Sequence, residues 1–249
     1  MDSPLLLSVA SLLALVLSSW IGASLRGKRE LAGESRDAFG VVLAAALTLL
    51  GLIIGFSFSM AISRYDQRKK YEEAEANAIG TEYVRAELLP SADAAVTKQL
   101  LRRYAEARVD FYLGLEPPEL REIERRTSKL QDQLWAAVRT PAVAAPTPVL
   151  ALVVSGMNDV LNSQGYTQAA WWNRIPAAAW ALMIVIAMLS NVMLGFGEGR
   201  GRWRSLMMLI LPLMVSISFF LIADIDSPRG GIVRVSPQNL IALQANLHQ

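Results

Sequence analysis

Residues 39–62 read FGVVLAAALTLLGLIIGFSFSMAI, and residues 63–90 continue SRYDQRKKYEEAEANAIGTEYVRAELLP. The first stretch carries no charge over 24 residues. At the 1.5 Å rise of an α-helix that length crosses a bilayer. The second stretch is rich in Glu, Ala, Arg and Lys, all good helix formers, and only Gly80 weakens it before Pro90 ends it. Together they predict one helix that leaves the membrane and continues roughly 40 Å into water. Gly51, Gly55, Ser59 and Ser63 recur every fourth residue and share a face, and Ile54, Phe58 and Ile62 form a neighbouring apolar stripe. Gly51 and Gly55 also make the small-xxx-small pattern that lets helices approach closely, with ordinary packing inside the chain as the simpler use.

The composition points the same way. The chain is 249 residues long and 53% hydrophobic, more than a soluble protein of this size usually carries. Its net charge is only +2, and the basic residues cluster beside the apolar runs, which suits lipid head groups and gives no reason to expect a nucleic-acid partner. There is no cysteine, so disulfides, thiol nucleophiles and thiolate metal sites are excluded. No Gly-rich phosphate loop, GxSxG elbow or HExxH signature occurs, and the single histidine, His248, stands at the end of the chain. An enzyme is therefore not expected, nor a cofactor or a confident metal site.

In chain order, residues 4–21 form a first apolar run, read as a membrane helix because its start, MDSP, lacks the basic residues of a signal peptide. The second span covers 39–62. Residues 64–174 read as a helical extramembrane domain continuing that span, with Arg68–Glu72 and Lys69–Glu73 as i,i+4 pairs. Ser91 suits an N-cap. Val96, Leu100, Tyr104, Ala107 and Phe111 mark one amphipathic helix, and Ile123, Thr127, Leu130, Leu134 and Ala137 a second. Arg121, Arg125 and Lys129 read as a solvated face. Residues 140–148, TPAVAAPTP, form a Pro-rich connection to a fairly apolar helix. Near that helix's end Asn158, Asp159 and Asn162 suit helix-end hydrogen bonding better than a cation. Trp171 and Trp172 with Arg174 look like a head-group anchor before the third span, 175–196. The fourth span covers 205–223 and contains Pro212. The juxtamembrane tail, 224–249, opens with Asp224, Asp226 and Arg229. Its two carboxylates either help hold a cation or, as the simpler reading, pair with Arg64 or Arg174. IVRV, 232–235, suits a short extended segment, and a terminal helix follows from Ser236 and Pro237. The fold class is an all-α integral membrane protein, with four transmembrane helices in a 2+2 layout around a helical extramembrane domain.

Three blocks, GFSFSMAISRYDQRKKYEEAEANAIGTEYVRAELLP (55–90), NRIP (173–176) and ADIDSPRGGIVRVS (223–236), resemble the bestrophin-like family of bacterial membrane proteins. The 2+2 layout also resembles bestrophins, which are pentameric anion channels whose second span lines the pore with an apolar neck. In those channels acidic residues after the fourth span bind Ca²⁺. The resemblance implies neck residues at Ile54, Phe58 and Ile62, joined by Ser59. It also places Asp224 and Asp226 where the acidic cluster stands, although this chain has two acids there and not a dense run. It further implies a homo-oligomer in the bacterial inner membrane, with the helical domain in the cytoplasm. Loop charge alone does not settle that orientation: the short loops carry Arg26, Lys28, Arg29 and Arg36, and then Arg200, Arg202 and Arg204, matched by as many basic residues on the other side.

Two functions follow. In the first, copies surround an axis, the second span lines an anion path, and Arg64, Arg68, Lys69 and Lys70 set a positive field at its mouth. In the second, the chain is a membrane-anchored helical scaffold for another protein, with the small-residue stripe used in packing and the basic run on lipid.

Overall fold

The computed structural model describes residues 3–26, 33–197 and 202–247, with the side chains of 202–205 and 207 left aside. Lys28, Arg29, Arg200 and His248, and the side chains of Arg202 and Arg204, lie outside what is described. The helices are α1 (Pro4–Arg26), α2 (Gly33–Arg85), α3 (Ser91–Leu113), α4 (Pro117–Ala144), α5 (Pro148–Trp172), α6 (Ala177–Gly197), α7 (Arg202–Asp226) and α8 (Gln238–Leu247), with a 3₁₀ turn at Ala86–Leu88. Among the described residues, four helical stretches are long and apolar enough to cross a membrane. No strand occurs among the described residues, so the IVRV segment is irregular. The chain divides into two compact units, Met1–Tyr65 with Arg174–Arg234 and Asp66–Asn173 with Val235–Gln249. The segment read from sequence as one tail is thus shared between them.

In the first unit α1 packs on α6 and α7. The approach of α1 to α6 depends on two glycines. A Cβ on Gly22 would stand 1.9 Å from the Val192 carbonyl oxygen, and one on Gly195 would stand 1.9 Å from that of Ser19. Backbones this close admit no side chain, and small residues are how membrane helices reach such contact. Beside the crossing, the Ser19 hydroxyl donates to Asn191 Oδ1 at 3.1 Å, and Asn191 Nδ2 donates to the Ala187 carbonyl at 2.8 Å. The apolar core joins Leu15 of α1, Leu50 and Ala61 of α2, Met183 and Ala187 of α6, and Phe219 and Ile222 of α7. Trp180 meets Phe219 edge-on with ring centres 5.9 Å apart.

In the second unit α3 and α4 form a helical hairpin. Ile123, Thr127, Leu130, Leu134 and Val138 are the buried stripe of α4, so the stripe closes on Val138 instead of Ala137. On α3 the buried face holds Thr97, Leu101, Tyr104, Ala107, Arg108 and Phe111, which leaves Val96 exposed. The face is displaced from the apolar pattern because Arg108, a charged residue, is on it. Ser91 is the first helical residue of α3; Pro90 holds the cap position, and no side chain caps it. Helix α4 runs through Pro141 to Ala144, so the Pro-rich connection is shorter than its sequence suggests. Thr147 caps α5, accepting from the Leu150 N–H at 3.2 Å, with Pro148 in the first turn. Trp171 is not a head-group anchor: it is buried edge-on against Phe111 and Tyr112, with ring centres 5.1 and 5.4 Å away, while Trp172 is exposed.

Candidate functional site

Within the first unit, α2 turns Leu50, Ser57 and Ala61 inward. With about 3.6 residues per turn, the outward side is then centred on Ser59. Gly51, Gly55 and Ile62 lie on one flank of that side and Leu52, Phe56 and Ser63 on the other, all exposed. Leu52 and Phe56 are 53% and 62% exposed. Nothing lies within 4 Å of where a Cβ would stand on Gly51 or Gly55. Among the described residues, no neighbour within the chain covers the small-residue stripe at these two glycines. In the neighbouring apolar stripe the three residues differ in cover. Ile54 and Phe58 are half-buried against the chain's own core, and only Ile62 of that stripe is exposed, at 38%.

The basic residues after the span separate into three kinds. Arg64 pairs with Asp226 at 3.4 Å. Lys69 and Lys70 are exposed. Arg68 is buried, and its guanidinium donates to the carbonyl oxygens of Ala170 at 3.2 Å and Asn173 at 3.3 Å, at the end of α5. It is therefore shielded from solvent. Glu72 accepts from the Leu240 N–H at 2.9 Å and from Asn239 Nδ2 at 2.6 Å, at the start of α8. A carboxylate fits there because the first N–H groups of a helix lack partners inside it.

Further along the same buried side, Glu75 pairs with Arg108 and accepts from the Thr167 hydroxyl at 3.2 Å. Both charged groups are essentially fully buried. Burial, reinforced by the negative charge of Glu75, pushes the Tyr104 phenol above its usual range, so it stays neutral. Gln131 Nε2 donates to its oxygen at 3.3 Å. Removing one member of such a pair leaves an uncompensated charge, typically about 3–5 kcal/mol.

The acidic residues after α7 are also engaged by donors of their own unit. Asp224 accepts from the backbone N–H groups of Ile232 at 2.7 Å and Val233 at 2.9 Å. Asp226 accepts from the Ile175 N–H at 3.1 and 3.2 Å, besides its ion pair with Arg64. The turn at Gly231 presses on Asp224, since a Cβ there would stand 2.3 Å from the Asp224 carbonyl oxygen. Arg229 is half-buried on this turn. A Ca²⁺ ion takes six or more oxygens. Here the carboxylates face N–H donors and a guanidinium, and no group of three acidic or imidazole ligands occurs among the described residues. These two acids fit an anchor that ties 230–233 to α7 and the start of α6 to Asp226, and they do not fit a Ca²⁺ site.

A family model, the bestrophin-like domain, matches residues 6–240. The chain belongs to the bestrophin-like family. No curated protein matches its sequence. Among solved structures, a bacterial bestrophin homolog from Klebsiella pneumoniae has TM-score 0.67 at 14% identity, covering 96% of each chain. A tryptophan-to-alanine variant of that homolog has TM-score 0.67 at 17% identity, covering 99% of this chain and 97% of its own. At such identity the likeness concerns the fold. This bestrophin-like chain is a membrane protein with the all-α, four-span architecture of that family.

Sequence reasoning missed three features. The buried charges were hidden by spacing that also suits surface pairs. Gly22 and Gly195 meet across two helices, so no motif within either one reveals them. A lone glycine in an otherwise apolar run was the available signal. Glu82, also buried, gave no signal apart from sharing the heptad-like spacing of Arg68 and Glu75.

Proposed function

We propose that this bestrophin-like chain is the subunit of a homo-oligomeric anion channel in the bacterial inner membrane, with the extramembrane helical unit in the cytoplasm. The observation that carries this reading is the bareness of α2. Only 6% of its most apolar window is buried, against 44% for the last span. A span so little covered by its own chain is available to sister copies around an axis. Ser59 and Ser63 then offer hydroxyls to a partly dehydrated ion, and Leu52 and Phe56 form the dewetting constriction. Ile54 and Phe58, implied by the family likeness as neck residues, support the wall from behind. Lys69 and Lys70 supply the positive field at the mouth, because Arg64 is paired and Arg68 buried. Asp224, Asp226 and Arg229 shape the turn after the last span.

Chloride efflux from liposomes holding the purified protein tests this. The native protein is expected to conduct, and Phe56→Ala to change the rate more than Phe58→Ala does. Absence of flux from all three removes the channel reading.

A second reading, a membrane-anchored scaffold, is favoured by an open groove of about 720 Å³ on the extramembrane unit, lined by Trp135, Ala142, Pro146, Leu150 and Val154. Val143, Val149 and Leu152, from the same segments, are exposed.

A further inference from the structure

On the buried side of α2 beyond Tyr65, Arg68, Glu72 and Glu75 each end on a partner. Glu82, on the same side, does not. It is fully buried, and neither carboxyl oxygen has a hydrogen-bond partner. The carboxyl lies on the bare Cα of Gly156 in α5: a Cβ there would stand 2.0 Å from Glu82 Oε2 and 2.5 Å from Arg85 Nη1. A methyl here would displace the ends of both side chains, and the residue is a glycine in the interior of a helix, where glycine is a poor choice. Arg85, one turn along α2, shares the patch without a hydrogen bond to the Glu82 carboxyl. The charged groups acting on Glu82 are Arg85 from α2 and Asp159 from α5.

A buried carboxyl with no donor is far better tolerated neutral than ionised. Burial foremost, opposed by Arg85 and aided by Asp159, pushes its pKa up from 4.5 to about 8. The folded protein thus holds a proton that the unfolded chain releases near 4.5, so this group's contribution to stability falls as pH climbs from there to about 8.

We propose that Glu82 is a proton-operated latch between α2 and α5. Protonated, its neutral carboxyl lets α5 close on α2 at Gly156. Deprotonated, it draws in Arg85, is repelled by Asp159, and loosens α5 at that point. The extramembrane unit thereby responds to alkaline conditions whether or not the protein conducts ions.

Hydrogen–deuterium exchange of the full-length protein in detergent, corrected for the intrinsic effect of pH, tests the latch. Exchange across residues 153–160 is expected to rise about tenfold between pH 7 and 9 in the native protein, and by less than about twofold in Glu82→Gln, which stays neutral. An equal rise in both, or none in the native protein, overturns the proposal. A second reading needs no variant: the infrared band of a protonated carboxylic acid persists at pH 7 in the native protein and vanishes by pH 9. A band already absent at pH 6 overturns it too.

Discussion

Up to Tyr65, α2 turns Leu50, Ser57 and Ala61 inward and leaves Gly51, Gly55, Ser59 and Phe56 uncovered. From Asp66 onward the same helix turns Arg68, Glu72, Glu75, Ile79 and Glu82 inward and leaves Lys69, Lys70 and Glu73 in the open. The first half is apolar on both sides, and its inward contacts are ordinary core packing. The second half buries charge, and each buried charge except Glu82 finishes a helix end or meets an opposite charge. In the span, the unusual surface is therefore the one facing out. In the extramembrane unit, it is the one facing in. A substitution should act accordingly, on assembly in the first half and on the fold of the unit in the second.

The largest effect belongs to the buried pair. Arg108→Met leaves Glu75 without its cation and is expected to cost the extramembrane unit about 3–5 kcal/mol. Adding Glu75→Gln should restore much of it, as followed by chemical unfolding in detergent. If Arg108→Met alone unfolds like the native protein, the inward charges do not hold that unit together.

Smaller effects separate two kinds of glycine. Gly195→Ala forces a methyl into the backbone of α1 and is expected to destabilise the first unit by about 1–3 kcal/mol. Gly55→Ala meets nothing within 4 Å among the described residues, and should leave the stability of a monomer unchanged or raise it by less than about 1 kcal/mol. Its effect is expected in the oligomer, read by light scattering in detergent. Equal destabilisation by both would erase the distinction between a covered and an open glycine.

The four spans were legible because uncharged runs of bilayer length have few alternative readings. The amphipathic hairpin of α3 and α4 was legible from its spacing, apart from the face displaced by Arg108. Ionisable residues at 68, 72, 75 and 82 carry no mark of burial, since the same spacing serves a solvent-facing helix. Their partners, Ala170, Leu240 and Thr167, are distant in sequence and come near only in the fold. Trp171 and Trp172 show the same limit: adjacent, identical residues, one in a core and one exposed. Of the acidic site, the pairing of Asp226 with Arg64 was one of the alternatives open in the sequence. The backbone N–H groups that Asp224 accepts from were not visible, because a backbone donor carries no side-chain signature.

The proposed oligomer sets the outward side of α2 against other copies. The chain has no native cysteine, so single replacements are clean probes. Ser59→Cys, in membranes treated with a short thiol-reactive cross-linker, is predicted to give covalently linked copies on a denaturing gel, whereas Ser57→Cys, on the inward side, stays monomeric. A Ser59→Cys protein that remains monomeric, or that links no better than Ser57→Cys, would contradict the account.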